Sequence, residues 1–286
     1  MITQLTQKRV LLPLGFVGLG VDAGLWLAPH VPSICISDAL LCLISISVSA
    51  LATGAGLGGA VLMVPVLLVL HRMNVVPLPP QQIGTLAALS AAIASGIGAQ
   101  THRRHGTVMW RTSWKMGVVG SMVAVLTAHW VYHWPPLFVV GADALMASLA
   151  VLFLWIAPRH SGSPRAPHLE TALVLCATAG VGVSSGITGM PGSFLLIPAV
   201  LWITRLPYRQ AVGTVLQAIF FLAISTFLMK LHQDLFNLEA SLPVILGSLA
   251  GSTLGSQWGL GTSIRTLRLL ATATIILGSA FALALS

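Results

Sequence analysis

Long apolar runs separated by short polar or proline-rich breaks organise the chain. A helix needs about 20 apolar residues to cross the roughly 30 Å hydrocarbon core of a bilayer. Runs close to that length predict transmembrane helices at 10–28, 82–101, 115–134, 137–157, 210–231, 238–260 and 267–285. Two further runs, 38–71 and 169–204, are too long for one helix, and each contains a glycine-rich break.

The interrupted runs can either cross the membrane once or enter, turn at the glycines and return as a hairpin. Cytoplasmic loops are enriched in Lys and Arg, and a single crossing would place the basic segment 103–111 outside. In the hairpin interpretation only Arg72 and Lys230 of the 14 basic residues lie outside. The others are then cytoplasmic: Lys8, Arg9, Arg103, Arg104, Arg111, Lys115, Arg159, Arg165, Arg205, Arg209, Arg265 and Arg268.

The two halves of the chain repeat one another. The segment 56–65, which runs from Gly-Leu-Gly-Gly to Val-Pro, matches 189–198, and Ile83-Gly84-Thr85 matches Val212-Gly213-Thr214. Such a repeat indicates duplication of a helical bundle. We expect an N-terminal helix and loop (1–37), a first repeat (38–158), a cytoplasmic linker (159–168) and a second repeat (169–286).

These observations predict an all-α polytopic membrane protein with two inverted-topology repeats and an extra N-terminal helix. Each repeat is a Gly-broken hairpin followed by three transmembrane helices. An odd number of crossings turns the second repeat upside down relative to the first, as in many secondary transporters. The N-terminus is then cytoplasmic, the C-terminus lies outside, and the two glycine tips meet near the bilayer midplane.

Composition supports a lipid environment. Hydrophobic residues make up 56% of the chain and charged residues 7%, against roughly 25% charged in a soluble domain, which excludes a soluble enzyme. The net charge of +8 is spread singly between apolar runs, so we interpret it as membrane topology and expect no nucleic-acid partner. A competing interpretation of 10–28 is a signal peptide.

The predicted hairpin tips carry the candidate chemistry. A helix broken inside the membrane is tolerated where its backbone lines a cavity, and the half-helix that follows presents amide hydrogens and a positive dipole end to an anion. Glycine also lets a ligand approach the backbone. The candidate substrate-binding residues are Gly56, Gly58, Gly59, Thr85, Gly189, Gly192, Ser193, Thr214 and Gln217. The competing interpretation is that the glycines only permit close helix packing.

Other polar residues are weaker candidates. Asp143 lies within a predicted span, where an acid is either a proton or cation relay or an interfacial group near the outer surface. The pairs His129/His133 and His102/His105 lack a nearby Cys or carboxylate at ligand spacing, which favours polar helix ends over metal sites. We therefore expect neither a metal nor a cofactor.

The motifs resemble those of the sulfite exporter TauE/SafE family. The shared features are the glycine break that leads to Val64-Pro65, the Gly-Thr pair that opens the next helix, and the basic stretch 102–106 that precedes Trp110. The family's usual Gly-Gly-Gly is Gly-Gly-Ala at 58–60 and Pro-Gly-Ser at 191–193 in this chain. The resemblance implies transport of sulfite or organosulfonates across the inner membrane.

Together, the residues and the resemblance predict a secondary transporter, and an exporter in particular, of small sulfur-containing anions. Alternating access around the opposed hairpin tips would move the anion. The alternatives are a passive anion channel or an integral-membrane enzyme acting on a lipid phosphate, although the tips lack the acid and base residues such an enzyme needs. The sequence leaves open coupling to protons or cations, and a homodimer.

Overall fold

The structure is a computed structural model that describes residues 36–72, 80–131, 152, 167–188, 192–232, 236 and 238–285. Most of these residues are helical, and none of them is in a strand. The helices are α1 (Ile36–Ala55), α2 (Ala60–Arg72), α3 (Pro80–Arg104), α4 (Trp110–Val131), α5 (Pro167–Thr188), α6 (Ser193–Thr204), α7 (Tyr208–His232), α8 (Leu238–Gly261) and α9 (Ile264–Leu285).

The helices confirm a polytopic membrane protein. Four of them are long and apolar enough to cross a bilayer, at Asp38–Ala55, Gln82–Arg104, Leu169–Ile187 and Tyr208–His232. α2 and α6 are shorter apolar helices. Large apolar side chains such as Trp130, Leu126 and Met122 are exposed, as a surface in contact with lipid requires. The predicted spans 10–28 and 137–157 lie outside the described helices.

Contacts between residues divide the chain into two compact units, residues 1–40 and residues 41–286. The described part of the first unit is the beginning of α1. The second unit contains the rest of α1 and all the other described helices.

The helices α3 and α7 pack against each other in opposite directions. Gly84, near the beginning of α3, faces Lys230 near the end of α7, and Gly213, near the beginning of α7, faces His102 near the end of α3. Between these ends, Gly98 contacts Leu216. The two equivalent Gly-Thr helices therefore form an antiparallel pair, which we call the α3/α7 pair.

The other long helices align with one member of this pair. α1 and α8 run parallel to α3, since Ser49 and Ser248 both contact Ser90 near its middle, while Thr101 meets Ser256 further along. α4 runs parallel to α7, and α5 runs parallel to α4. The contacts that set these directions are Met109 with Thr214 and the glycine contacts Gly117 with Phe221, Gly182 with Gly120 and Gly186 with Ala124.

The short helix α2 runs opposite to α3. Its beginning is level with the middle of α3, because Gly59 packs against Ser90, Ala91 and Ala94. If α2 ran parallel to α3, Arg72 would lie about 36 Å from Pro80 at roughly 1.5 Å per residue. The connection between them can span at most about 29 Å. α1 and α2 therefore run in opposite directions, as a helical hairpin does.

Equivalent helices in the two halves of the sequence run in opposite directions. α1 and α3 of the first half run with α8 of the second, whereas α5 and α7 of the second half run with α4 of the first. The single-crossing interpretation requires α3 and α7 to be parallel, which their contacts contradict. The observed directions are those that an inverted repeat requires.

Close backbone contacts hold α8 against α1. Gly247, Gly251, Gly255 and Gly259 recur every four residues and face the backbone of Cys42, Ile46, Ala50 and Gly54 in turn. Small residues at this spacing let two helices approach closely in lipid. Next to this contact, the hydroxyls of Ser49, Ser90 and Ser248 hydrogen-bond to one another over 2.8 to 3.3 Å.

Candidate functional site

The first glycine tip is a specific helix-capping structure. At the end of α1, Gly56 adopts φ +85°, its N–H donates to the Thr53 carbonyl, and the Leu57 N–H donates to Ala52 O at 2.6 Å. This bonding pattern is a Schellman motif. Gly58 and Gly59 follow with φ +73° and +89°, so the chain reverses through backbone conformations that favour glycine.

The space around this tip is also restricted to glycine. A Cβ on Gly56 would lie 2.6 Å from Cγ1 of Val212 on α7, and a Cβ on Gly59 would lie 3.2 Å from Cβ of Ala94 on α3. The first tip therefore contacts both members of the α3/α7 pair.

The second tip has different backbone geometry. Gly192 lies just before α6 with φ −69°, a value that any residue adopts, and its carbonyl accepts hydrogen bonds from Leu195 and Leu196. A Cβ there would lie 3.0 Å from Cγ1 of Val181 and 3.3 Å from Oγ of Ser184. Ser193 is the first residue of α6, and Gly189 lies outside the described residues.

Gly59 of the first tip and Gly192 of the second lie at a similar depth along the α3/α7 pair, whereas Gly56 lies nearer the beginning of α7, beside Val212. Val181, beside Gly192, precedes Gly182, which contacts Gly120 on α4. Gly120 in turn contacts Leu222 on α7. In the antiparallel register of the pair, Leu222 is level with residues 92–94 of α3, where Gly59 packs.

The predicted threonines lie far from each other. Thr85 and Thr214 lie at opposite ends of the α3/α7 pair, about 24 Å apart along its axis at roughly 1.5 Å per residue. Thr214 is fully buried, and its Oγ1 accepts a hydrogen bond from the Met109 N–H at 3.1 Å. Thr85 is also buried, and its Oγ1 has no hydrogen-bond partner among the described residues.

Gln217 also lies near the depth of the first tip. It is 8% exposed, and it follows Leu216, which contacts Gly98. Gly98 also contacts the methyl group of Thr53 in the last turn of α1. Gln217 and Thr214 therefore both lie on the part of α7 that is near the end of α1.

A small pocket lies beside the first tip. It brings together the end of α1, the end of α3 and the beginning of α7. Its lining residues are Thr53, Gly54, Ala55, His102, Tyr208, Arg209, Val212, Ser256, Gly259 and Leu267. We call it the Arg209 pocket.

The polar groups of the Arg209 pocket suit an anion. Arg209 donates one hydrogen bond, from Nη2 to the Thr262 carbonyl at 3.2 Å, which leaves other guanidinium N–H groups for a ligand. Thr53 Oγ1 is buried without a hydrogen-bond partner among the described residues. The lining includes no carboxylate, and Arg268 stacks over the Tyr208 ring at 5.6 Å.

Hydrogen bonds also orient the imidazole of His102. The Thr107 hydroxyl donates its proton to the His102 carbonyl, so the 2.9 Å contact between Thr107 Oγ1 and His102 Nδ1 requires Nδ1–H as the donor. Nε2 is then the ring nitrogen with a lone pair, and it can accept a hydrogen bond.

Sequence reasoning missed most of this pocket. Arg209 was expected only to set topology and His102 to be a polar helix end, while Tyr208 and Ser256 carried no motif. One signal was available, because Arg209 comes shortly before the repeated Gly-Thr pair. Asp143 lies outside the described residues, and those residues contain no cluster of three or more metal-ligating side chains.

The fold and the pocket define a polytopic helical membrane protein with a cationic pocket beside a broken helix. A family model described as Sulfite exporter TauE/SafE matches residues 40–282, so the chain belongs to this family. It is therefore a multi-pass membrane transporter rather than a member of an enzyme family.

Two relatives from Xylella fastidiosa are each named "Probable membrane transporter protein". The protein of strain Temecula1 is 30% identical over 209 residues, and that of strain 9a5c is 32% identical over 213 residues. Each alignment covers 70% of this chain and 77% of the relative. No solved structure matches the chain.

Proposed function

We propose that this transporter moves small sulfur-containing oxyanions, such as sulfite or organosulfonates, through the Arg209 pocket. The observation that carries the proposal is the meeting of Arg209, His102 and the unpartnered Thr53 hydroxyl in a pocket without a carboxylate. A guanidinium and a hydroxyl together match the charge and the acceptor oxygens of a sulfonate. The family description supports the same substrate class.

Inverted repeats would supply the transport mechanism. The matched helix directions support a pseudo-two-fold axis in the membrane plane. Rocking of one half against the other would then expose the site to either face in turn.

Export is the proposed direction. We place the chain in the inner membrane with the Arg209 pocket toward the cytoplasm, the N-terminus inside and the C-terminus outside. An inside-negative potential drives an anion outward by about 2.3 kcal/mol per charge per 100 mV, so export needs no coupling ion. Uptake would require protons or cations.

Transport by the purified protein tests this function. Proteoliposomes should take up labelled sulfite, sulfoacetate or another sulfonate with saturable kinetics, and an imposed potential should change the rate. Unlabelled anion on the far side should accelerate exchange of the label, which a channel would not show. If none of these anions moves under any imposed gradient, the proposed function is wrong.

A further inference from the structure

Lys230 is one of two basic residues, with Arg72, that the charge pattern does not explain. It lies at the end of the α3/α7 pair opposite Arg209, which the predicted topology places outside, against the bias of the other basic residues. The side chain is partly buried, although His232, two residues later, is exposed. A cation at the carboxyl end of a helix is favourable, but that position does not require burial.

Gly84 makes the burial possible. The Lys230 Nζ lies 2.7 Å from the point that a Cβ on Gly84 would occupy. The ammonium therefore packs against the backbone of α3 in its second turn, close to the positive end of that helix dipole. No carboxylate among the described residues forms an ion pair with the Lys230 ammonium.

Polar groups on the adjacent turn of α3 are also unsatisfied. Thr85, 1% exposed, has a hydroxyl without a hydrogen-bond partner, and the buried Oε1 of Gln82 has none either among the described residues. Buried polar groups are normally paired. The Lys230 ammonium at Gly84 and the hydroxyl of the next residue, Thr85, are both donors of the kind that an oxyanion binds.

The same arrangement recurs at the other end of the pair. Gly213 faces His102 as Gly84 faces Lys230, so each Gly-Thr helix presents its glycine to a basic residue of its partner. The Arg209 pocket lies at the His102 end, and it is the site on which the proposed function rests.

We propose that Lys230, with Thr85, forms a second oxyanion-binding site at this end of the α3/α7 pair. This rests on the proposed function and adds a substrate station on the opposite face of the transporter. After the anion leaves the Arg209 pocket, the transporter opens toward the opposite membrane face. A sulfite or sulfonate bound by Lys230 and Thr85 lies at that face.

Side-resolved kinetics test the second site. Initial rates of labelled sulfite and sulfoacetate transport are measured in right-side-out and inside-out membrane vesicles. We expect Lys230→Gln to raise KM roughly ten- to a hundred-fold from one face only. Arg209→Gln should raise KM from the other face. Arg72→Gln, which removes an exposed basic residue from the same end, should leave both values unchanged.

Two further variants guard against a purely structural role. Gly84→Ala keeps the lysine but displaces its ammonium, and it should raise KM from the same face as Lys230→Gln. Asp234 is an acidic residue four positions after Lys230 in the sequence. Asp234→Asn should leave KM unchanged, whereas a rise in KM equal to that of Lys230→Gln would show that the lysine forms an ion pair instead of binding the anion.

The outcomes separate the two proposals. Unchanged KM in an inserted Lys230→Gln protein, or an equal rise from both faces, would overturn the second site. If Lys230→Gln does not insert, Gly84→Ala decides by the same criterion. Absence of wild-type transport from either face would instead overturn the proposed function.

Discussion

Glycine residues at the two tips meet different physical requirements. Gly59 has φ +89° and little room for a side chain, so it is constrained by both conformation and space. Gly192 has an ordinary φ of −69° and is constrained by space alone. The two positions are matched in the sequence repeat, yet only the first depends on a left-handed backbone.

Substitution of either tip glycine by valine should therefore abolish transport, whereas substitution by alanine should impair the two positions to different degrees. Gly59→Val and Gly192→Val should both insert and fail to transport sulfite, because each side chain enters a filled space. The alanine variants should differ, with Gly59→Ala impaired more than Gly192→Ala because a positive φ costs about 1–2 kcal/mol for a residue with a Cβ. Initial rates per inserted molecule measure this.

Cys42→Ala provides the control for these variants. Its side chain is partly exposed, and Gly247 of α8 faces its backbone carbonyl oxygen. Transport should remain at the wild-type rate. Wild-type rates in both valine variants would show that the glycines serve packing only.

The unpartnered hydroxyl of Thr53 predicts a change in function without a loss of stability. Thr53→Val keeps the shape of the side chain and removes a buried polar group, so thermal stability should stay the same or rise by up to about 1 kcal/mol. KM for sulfite should increase, because the pocket loses a hydrogen-bonding group.

Thr178→Val is the matched control for Thr53→Val. Its buried hydroxyl donates to the Val174 carbonyl at 2.7 Å, away from the Arg209 pocket. KM should be unchanged. If Thr53→Val instead left KM unchanged, the hydroxyl would have no role in binding.

At the scale of helices, the contact between α1 and α8 depends on the glycine spacing. Gly251→Ala would place a Cβ against the Ile46 carbonyl oxygen and 2.8 Å from its carbonyl carbon, and backbone atoms cannot move aside as a flexible side chain can. The helices would have to separate along a contact that the hydroxyls of Ser49 and Ser248 also share.

We therefore expect Gly251→Ala to lower the thermal unfolding temperature in detergent. Gly180→Ala is the matched control, because Gly180 lies in α5 with no heavy atom within 4 Å of its Cβ position. That variant should be neutral or slightly stabilising, since alanine favours a helix by about 1 kcal/mol over glycine. Equal melting temperatures would contradict the packing argument.

Over the whole molecule, antiparallel packing of α3 and α7 predicts where their ends are exposed. In a cysteine-free background, Arg104→Cys at the end of α3 should react with an impermeant thiol reagent only from the cytoplasmic side. His232→Cys at the end of α7 should react only from the outside. Both residues are exposed, so accessibility depends on the face alone.

Labelling of both cysteines from one face would contradict the inverted topology. Reversed sides would preserve the repeat but invert its orientation in the membrane. The side from which each cysteine reacts is measured in vesicles of known orientation. Arg205→Cys provides a second residue expected on the cytoplasmic face.

Much of the architecture could be predicted from local sequence. Helices form wherever an apolar run is long enough, because lipid leaves the backbone no other hydrogen-bond partners. The structure accordingly has α4 at Trp110–Val131 and α7 at Tyr208–His232, close to the predicted spans 115–134 and 210–231. The Gly-Thr repeat likewise identified the two helices that pack as a central pair.

The candidate site was less predictable, because its residues are distant in sequence. Thr85 and Thr214 were expected beside the tips, but antiparallel packing places them near opposite ends of the α3/α7 pair. The same packing brings His102 to Gly213 and Lys230 to Gly84. His102 and Lys230 thus became parts of candidate anion sites that no local pattern had indicated.

The sequence by itself determined the solvent, the helices and the repeat, since hydropathy, glycine breaks and charge act over one helix or one loop. Tertiary structure alone decided which polar groups meet. That depends on the register between antiparallel helices, where a shift of one turn moves a side chain by about 5.4 Å. Packing of glycine against a particular neighbour sets the register, and no local pattern encodes that neighbour.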